Sequence, residues 1–372
     1  MPPYLVVNLT PLTCPALVPG MIPIFVRGSS LLLQIFEDAV LGVSRLPGKS
    51  GVIQYFSLTL SVAFEYGAKE IKEMEAPTVS RTDKAWFDIL DFPHPDRTEK
   101  PRQRGLTMVI DKGLGLTDTR DLMELAGDYV DHVKLTFGTS AFYKTRLLRQ
   151  KVELVKSYGV DIFPGGTFLE LALLQGRVVE YFDRARDLGF TGIEVSDGTI
   201  DLDQETRVQT IQLARAYGFS LILSEVGKKD RRDKMRAMTL WQQVQRDLKS
   251  GADTVIVEGR ESGEGAVIYD DEGQVLEDEL QELVTHITDL GRILWEAPQK
   301  SQQQELILRF GPNVNLGNVQ PQDVLALEAL RVGLRGDTLR HYYLTVCQVK
   351  TPALGPTSVK SSVKRGVNHP LS

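Results

Sequence analysis

The sequence predicts an α/β fold, a (β/α)8 TIM barrel over residues 106–340, preceded by an irregular N-terminal extension. Three observations carry this expectation. Eight short β-rich runs alternate with amphipathic helical segments after residue 105. The strand-then-helix units recur at roughly 25–40 residues and together span ~240, near the usual barrel size. Most runs follow a glycine that can end the preceding helix in the left-handed conformation. A doubly wound open sheet is the rival arrangement, but it more often has five or six strands.

Residues 1–80 show scattered apolar patches, irregular Pro and Gly, and no sustained period. Two readings compete for them: a small added domain, or a stretch that is poorly ordered or not part of the native product. KEIKEM (69–74) can be encoded by a purine-rich run resembling a bacterial ribosome-binding site, which would place the start at or near Met74. Residues 81–105, containing DFPHPDRTEKPRQRG, read as a charged, Pro-rich linker or arm. The strand runs follow in order at 106–111, 132–138, 160–166, 192–198, 220–227, 253–260, 292–298 and 312–318. The helix stops are Gly159, Gly189, Gly218, Gly251 and Gly291. ESGEGAVIYDDEG (261–273) is a long polar loop that can serve as a lid. Residues 341–372 turn basic and rich in Ser, Thr and Pro, as a flexible tail does.

The chain is 42% hydrophobic and 25% charged over 372 residues, an ordinary globular composition. A net charge of -6 argues against nucleic acid as a partner. An anionic substrate would need cations gathered locally. Cys14 and Cys347 offer neither metal spacing nor a disulfide framework, so a cytoplasmic location is expected. No zinc site and no membrane span are expected. The run 21–36 is broken by Arg27 and Gly28-Ser29-Ser30, and 51–64 is shorter than the ~20 residues a bilayer needs.

Charges recur at the ends of the predicted strands: Asp111 and Lys112; Lys134; Glu194 and Asp197; Glu225, Lys228 and Lys229; Glu258 and Arg260; Glu296. In this fold the carboxyl ends of the strands form the active-site face. One acid at a strand end is usually a salt bridge or a helix cap. Six strands carrying such residues point to a shared mouth. The carboxylates can hold a hard cation such as Mg2+. The lysines and arginine can hold phosphate or carboxylate groups. FPGGTF (163–168) and GRESGEG (259–265) offer backbone N–H groups to an anion. A lysine there can also form a Schiff base or transfer a proton.

The strings LTMVIDKGL (106–114), DYVDHVKLTFGTS (128–140), FPGGTFLE (163–170), IEVSDGTIDL (193–202), LSEVGKKD (223–230), GADTVIVEGRESG (251–263), ILWEAPQKSQQ (293–303), FGPNVNLGNV (310–319) and LEALRVGLRGDT (327–338) closely resemble the phosphosulfolactate synthase family. The similarity runs in order from about residue 104 to 340. It implies a lyase that adds sulfite to phosphoenolpyruvate with Mg2+, giving (2R)-phosphosulfolactate on the way to coenzyme M or sulfolactate. The second lysine of EVGKK, Lys229, is then the proton donor.

Checked against that reaction, Lys229, Lys134 and Arg260 are the catalytic candidates. Lys112, Lys134, Lys228 and Arg260 can offset repulsion between two anionic reactants. Gly165 and Gly166, or Asn315 and Asn318, are candidates for the phosphate. Glu194, Glu225 and Glu258 are candidates for the metal. The expected partners are these small molecules, and a homo-oligomer is expected from the family. Two other readings remain: a non-catalytic homologue resembling the plant heat-stress-associated branch, and a Schiff-base aldolase using Lys134 or Lys229.

Overall fold

Runs such as TMVID (107–111) and LILSEV (221–226) are buried at every position. Burial on both faces is what a parallel strand covered by helices requires. The structure, a computed structural model, describes residues 8–11, 56–59, 84–228 and 237–347. It divides into two units, Met1–Met74 and Glu75–Ser372. In the first, Asn8–Pro11 and Phe56–Thr59 form an antiparallel pair. The rest of the extension, the tail beyond 347, and Lys229 lie outside the described residues.

The second unit is an eight-stranded parallel barrel. Its strands are β1 (Thr107–Asp111), β2 (His132–Leu135), β3 (Asp161–Pro164), β4 (Gly192–Val195), β5 (Leu221–Val226), β6 (Thr254–Val257), β7 (Ile293–Glu296) and β8 (Asn315–Val319). The ladder order is β3-β2-β1-β8-β7-β6-β5-β4. Thr191 carries the remaining seam: its N–H donates to the Ile162 carbonyl (3.1 Å), and its Oγ1 accepts from the Ile162 N–H (2.9 Å).

The surrounding helices are α1 (Leu116–Ala126), α2 (Thr145–Lys156), α3 (Gly166–Leu174), α4 (Val178–Leu188), α5 (Gln204–Ala216), α6 (Ala237–Ser250), α7 (Glu277–His286), α8 (Lys300–Phe310), α9 (Val324–Arg331) and α10 (Gly336–Tyr342). Gly159, Gly189, Gly218 and Gly251 adopt positive φ at their helix ends, as the pattern predicts. Gly291 does not; it sits in a 3-10 turn, and the Asp289 side chain accepts from its N–H. No helix among the described residues is long and apolar enough to cross a membrane.

Two cores form. Met108, Phe163, Leu221, Leu223, Ile256 and Leu294 make a small apolar cluster, while a larger cluster joins strands to helices. The segment read as a linker or arm packs as part of the barrel's amino end. Arg97 makes a two-pronged pair with Glu328, and Arg102 meets Asp131 at 3.0 Å. Arg331 is fully buried and donates to the carbonyls of Pro312, Val314 and Leu106. It thus ties α9 to both strands of the β8–β1 seam.

Two further segments carry more structure than their composition suggests. The loop 261–273 buries Ala266, Ile268 and Tyr269, and Gln302 donates to the carbonyls of Gly263 and Gly273. Its apolar residues anchor a segment that reads as polar overall. At the other end, α10 continues as a π turn, Tyr343–Cys347, past the predicted tail boundary.

Arg331→Ala should destabilise the protein by roughly 3 kcal/mol, because three buried carbonyls lose their donor. The exposed pair at Lys300 should matter far less, by under about 1 kcal/mol on Lys300→Ala. Urea unfolding of the two variants beside the parent measures both.

Candidate active site

The carboxyl ends of β2, β4, β5 and β7 place one ammonium among acids. Lys134 Nζ lies 3.0 Å from Glu194 Oε1, 3.0 Å from Glu225 Oε2 and 3.1 Å from Glu296 Oε1. An ammonium has three N–H bonds, and each is matched here by one carboxylate. All four side chains are buried. Burial by itself is the largest influence on Lys134 and would lower its pKa. The combined fields of Glu194, Glu225, Glu296 and Glu258 outweigh it and hold the pKa well above that of an ordinary lysine.

Glu225, Glu258 and Glu296 bring one ligand oxygen each to within 4.8 Å of one another. Three buried carboxylates so arranged suit a hard divalent cation. The sequence-derived set of Glu194, Glu225 and Glu258 therefore overlaps this trio in two members. Glu194 faces Lys134 and accepts from the Gly166 N–H at 3.1 Å. Glu296, one of the strand-end acids, takes the third place.

Each carboxylate has a second fixed contact. Gly259 N–H donates to Glu296 Oε2 at 3.0 Å, and Arg260 N–H to Glu258 Oε1 at 2.7 Å. Ser196 Oγ lies 3.0 Å from Glu225 Oε1 and 2.7 Å from Glu170 Oε1. Glu170 Oε2 accepts from the N–H groups of Thr199 and Ile200 and so ties down the loop after β4. Two of the backbone contacts need glycine for space. A Cβ on Gly166 would lie 2.5 Å from Ser196 Cβ, and one on Gly259 would lie 2.4 Å from the Glu296 carbonyl oxygen.

Arg207 supports the site from outside the barrel wall. It is buried on α5, pairs with Asp247 of α6, and reaches Asp197 Oδ1 at 2.8 Å. It also donates to the backbone carbonyl of Glu225 at 2.7 Å. Buried Lys151 does similar work at β1. It pairs with Asp111, whose other oxygen accepts from the N–H groups of Gly113 and Leu114.

The remaining predicted residues divide. Lys112 sits on the exposed rim and pairs with Glu261 at 2.7 Å. Lys228 straps the loop after β4, donating to the carbonyls of Asp197 (2.7 Å) and Ile200 (3.0 Å) and pairing with Asp201 (3.1 Å). The N–H groups of Gly165 and Gly166 are engaged within the protein, by Leu135 O and Glu194 Oε1. Asn315 lies at the opposite end of the barrel. Its side chain binds the Leu106 N–H and the carbonyls of Gly291 and Ile293. Asn318 does reach the mouth, where Nδ2 donates to the Arg260 carbonyl at 3.3 Å. Both Arg260 (φ 62°) and Asn318 (φ 54°) are left-handed, a conformation costing about 1–2 kcal/mol for an ordinary residue such as arginine and adopted more readily by asparagine.

Arg207, Glu170, Ser196 and Lys151 were absent from the sequence-derived set. A glutamate inside the otherwise apolar helix TFLELALL was the one readable signal among them. Arg207 and Lys151 look in sequence like ordinary helix-surface charges.

The family model for (2R)-phospho-3-sulfolactate synthase (ComA) matches residues 95–337, which include every barrel strand. A phosphosulfolactate synthase from Methanothermobacter thermautotrophicus is 47% identical over 258 residues, covering 68% of this chain and 98% of the relative. One from Bacillus subtilis is 37% identical over 246 residues, covering 66% and 96%. Protein HEAT-STRESS-ASSOCIATED 32 of Arabidopsis thaliana is 23% identical over 267 residues, covering 63% and 88%.

Replacing Lys134 by methionine should cost roughly 3–5 kcal/mol, since it leaves its carboxylate partners buried together. The raised pKa fixes the pH dependence. Lys134 contributes fully below its unfolded value near 10.5 and loses its contribution only as pH rises through the higher folded value. In Lys134→Met the uncompensated buried acids take up protons, so the variant should lose stability as pH rises from about 6 to 9 while the Lys134 contribution to the parent stays constant, and the gap between the two should widen with pH. Denaturant titrations across that range read it directly.

Proposed function

The chain belongs to the (2R)-phospho-3-sulfolactate synthase family, an enzyme family by name, and we propose that it adds sulfite to phosphoenolpyruvate as a carbon–sulfur-bond-forming lyase. The observation that carries this reading is the convergence of Glu225, Glu258 and Glu296 beside Lys134 on the carboxyl rim. Phosphoenolpyruvate and sulfite are both anions, and neither approaches buried carboxylates unless a cation lies between them. The trio fits such a cation. A Mg2+ bound there would supply a Lewis acid to the substrate carboxylate as negative charge gathers on it.

The protein's own groups do the rest. Lys134 keeps Glu194, Glu225 and Glu296 in register and remains an ammonium, so its role is electrostatic and orienting. Arg260 and Lys112, on or beside the mouth, lower the repulsion felt by incoming anions. In the step itself the sulfite sulfur donates a lone pair to the methylene carbon. The C=C electron pair moves toward the carboxylate-bearing carbon, where it takes a proton from Lys229. The phosphate ester bond stays intact, and the product is (2R)-phosphosulfolactate. The persistently charged state of Lys134 speaks against its use in a Schiff base, which needs a neutral amine.

Purified protein should consume phosphoenolpyruvate only when sulfite is present. Chelation with EDTA should stop turnover and Mg2+ should restore it. Glu258→Gln and Glu296→Gln should each lower kcat/KM by about 100-fold or more, near 2.7 kcal/mol of transition-state stabilisation. Lys229→Ala should abolish turnover. Sulfite-independent loss of phosphoenolpyruvate, or parental rates in the two glutamine variants, would overturn the proposal.

A further inference from the structure

Two of the three carboxylates in the proposed metal trio are held by one turn. After β6, the Gly259 N–H points at Glu296 Oε2 and the Arg260 N–H points at Glu258 Oε1. The turn depends on a left-handed Arg260, a conformation that a residue with a side chain adopts only when its surroundings hold it there. The φ and ψ angles of Arg260 join the peptide that donates to Glu258 with the peptide whose carbonyl accepts from Asn318. Holding that carbonyl therefore restricts the turn from which the donor points.

Asn318 is built for that contact. It is 3% exposed and itself left-handed, and it lies where the pairing of β8 with β1 shifts register. Its Oδ1 finds no hydrogen-bond partner among the described residues. Reversing the amide would set that oxygen against the Arg260 carbonyl, so the observed orientation is the favourable one. A buried amide with an unsatisfied oxygen is a poor choice for packing alone.

We propose that Asn318 is a positioning residue for the metal trio, acting through the Gly259–Arg260 turn on Glu258 and Glu296. This inference rests on the metal reading above. Groups that orient ligands from behind commonly change metal affinity by about 10- to 100-fold when removed. The amide of Asn318 should do the same without touching the ion or the substrate.

The test measures metal binding rather than turnover. Metal-free parent, Asn318→Gly and Asn318→Ala proteins are titrated with Mn2+, a probe for an oxygen-rich site, and free Mn2+ is followed by electron paramagnetic resonance. Both variants should bind Mn2+ about 10- to 100-fold more weakly than the parent. Asn318→Gly tolerates positive φ, so it should keep the fold and the metal-free unfolding midpoint even if Asn318→Ala does not. If the parent binds Mn2+ and Asn318→Gly binds it equally well, the role of Asn318 is overturned and the metal reading stands. If the parent binds no Mn2+, the metal reading fails and this inference falls with it.

Discussion

One ammonium organises the carboxyl end of this barrel. Lys134 spends its three N–H bonds on carboxylates from three different strands, β4, β5 and β7. Each of those acids is buried, and none could sit there as a neighbour of the others without a countercharge. Because the partners come from separate strands, the contact is also a constraint on barrel shape. A change in strand tilt or register would lengthen at least one of the three bonds. The same interaction links stability to the site, since it holds the groups that meet a cation in the proposed chemistry.

The barrel divides its labour along its axis. The amino end is closed by paired charges and backbone contacts, with Arg97 on Glu328 and Arg331 on three carbonyls. Asn315 belongs to that closure, stitching the strand neighbours of β8 together. Apolar side chains form a cluster of their own from β1, β3, β5, β6 and β7. The carboxyl end is built of acids whose directions are set by backbone N–H groups and by contacts from the outer helices. Arg207 shows how far that support reaches, joining α5, α6 and the end of β5 in one network.

Much of this was readable in advance, and particular residues show why. Strand runs such as TMVID and LILSEV declare themselves because burial on both faces leaves a continuous apolar string. Gly189 and Gly218 mark helix ends because a left-handed residue without a Cβ carries no steric penalty. Lys134, Glu194, Glu225 and Glu258 were legible as strand-end charges, since the fold gathers such positions at one face. Glycine in sequence also marks close packing, and the Gly166 position is crowded by Ser196 and Glu194. A strand candidate does not say which of its ends a side chain serves, and Asn315 serves the amino end.

The sequence by itself determined the alternation of strands and helices, their order, and the supply of acids and amines to the strand ends. Those properties are local, written in period, glycine placement and residue type. Only the tertiary structure decided which acids meet. Glu296 joins Glu225 and Glu258, while Glu194, which shares Lys134 with Glu225 and Glu296, accepts from Gly166, because side-chain direction depends on barrel curvature and on backbone donors distant in sequence. The supporting roles of Arg207, Lys151 and Glu170 were decided there too. A buried ion pair and an exposed helix charge look the same until the neighbouring helix is in place.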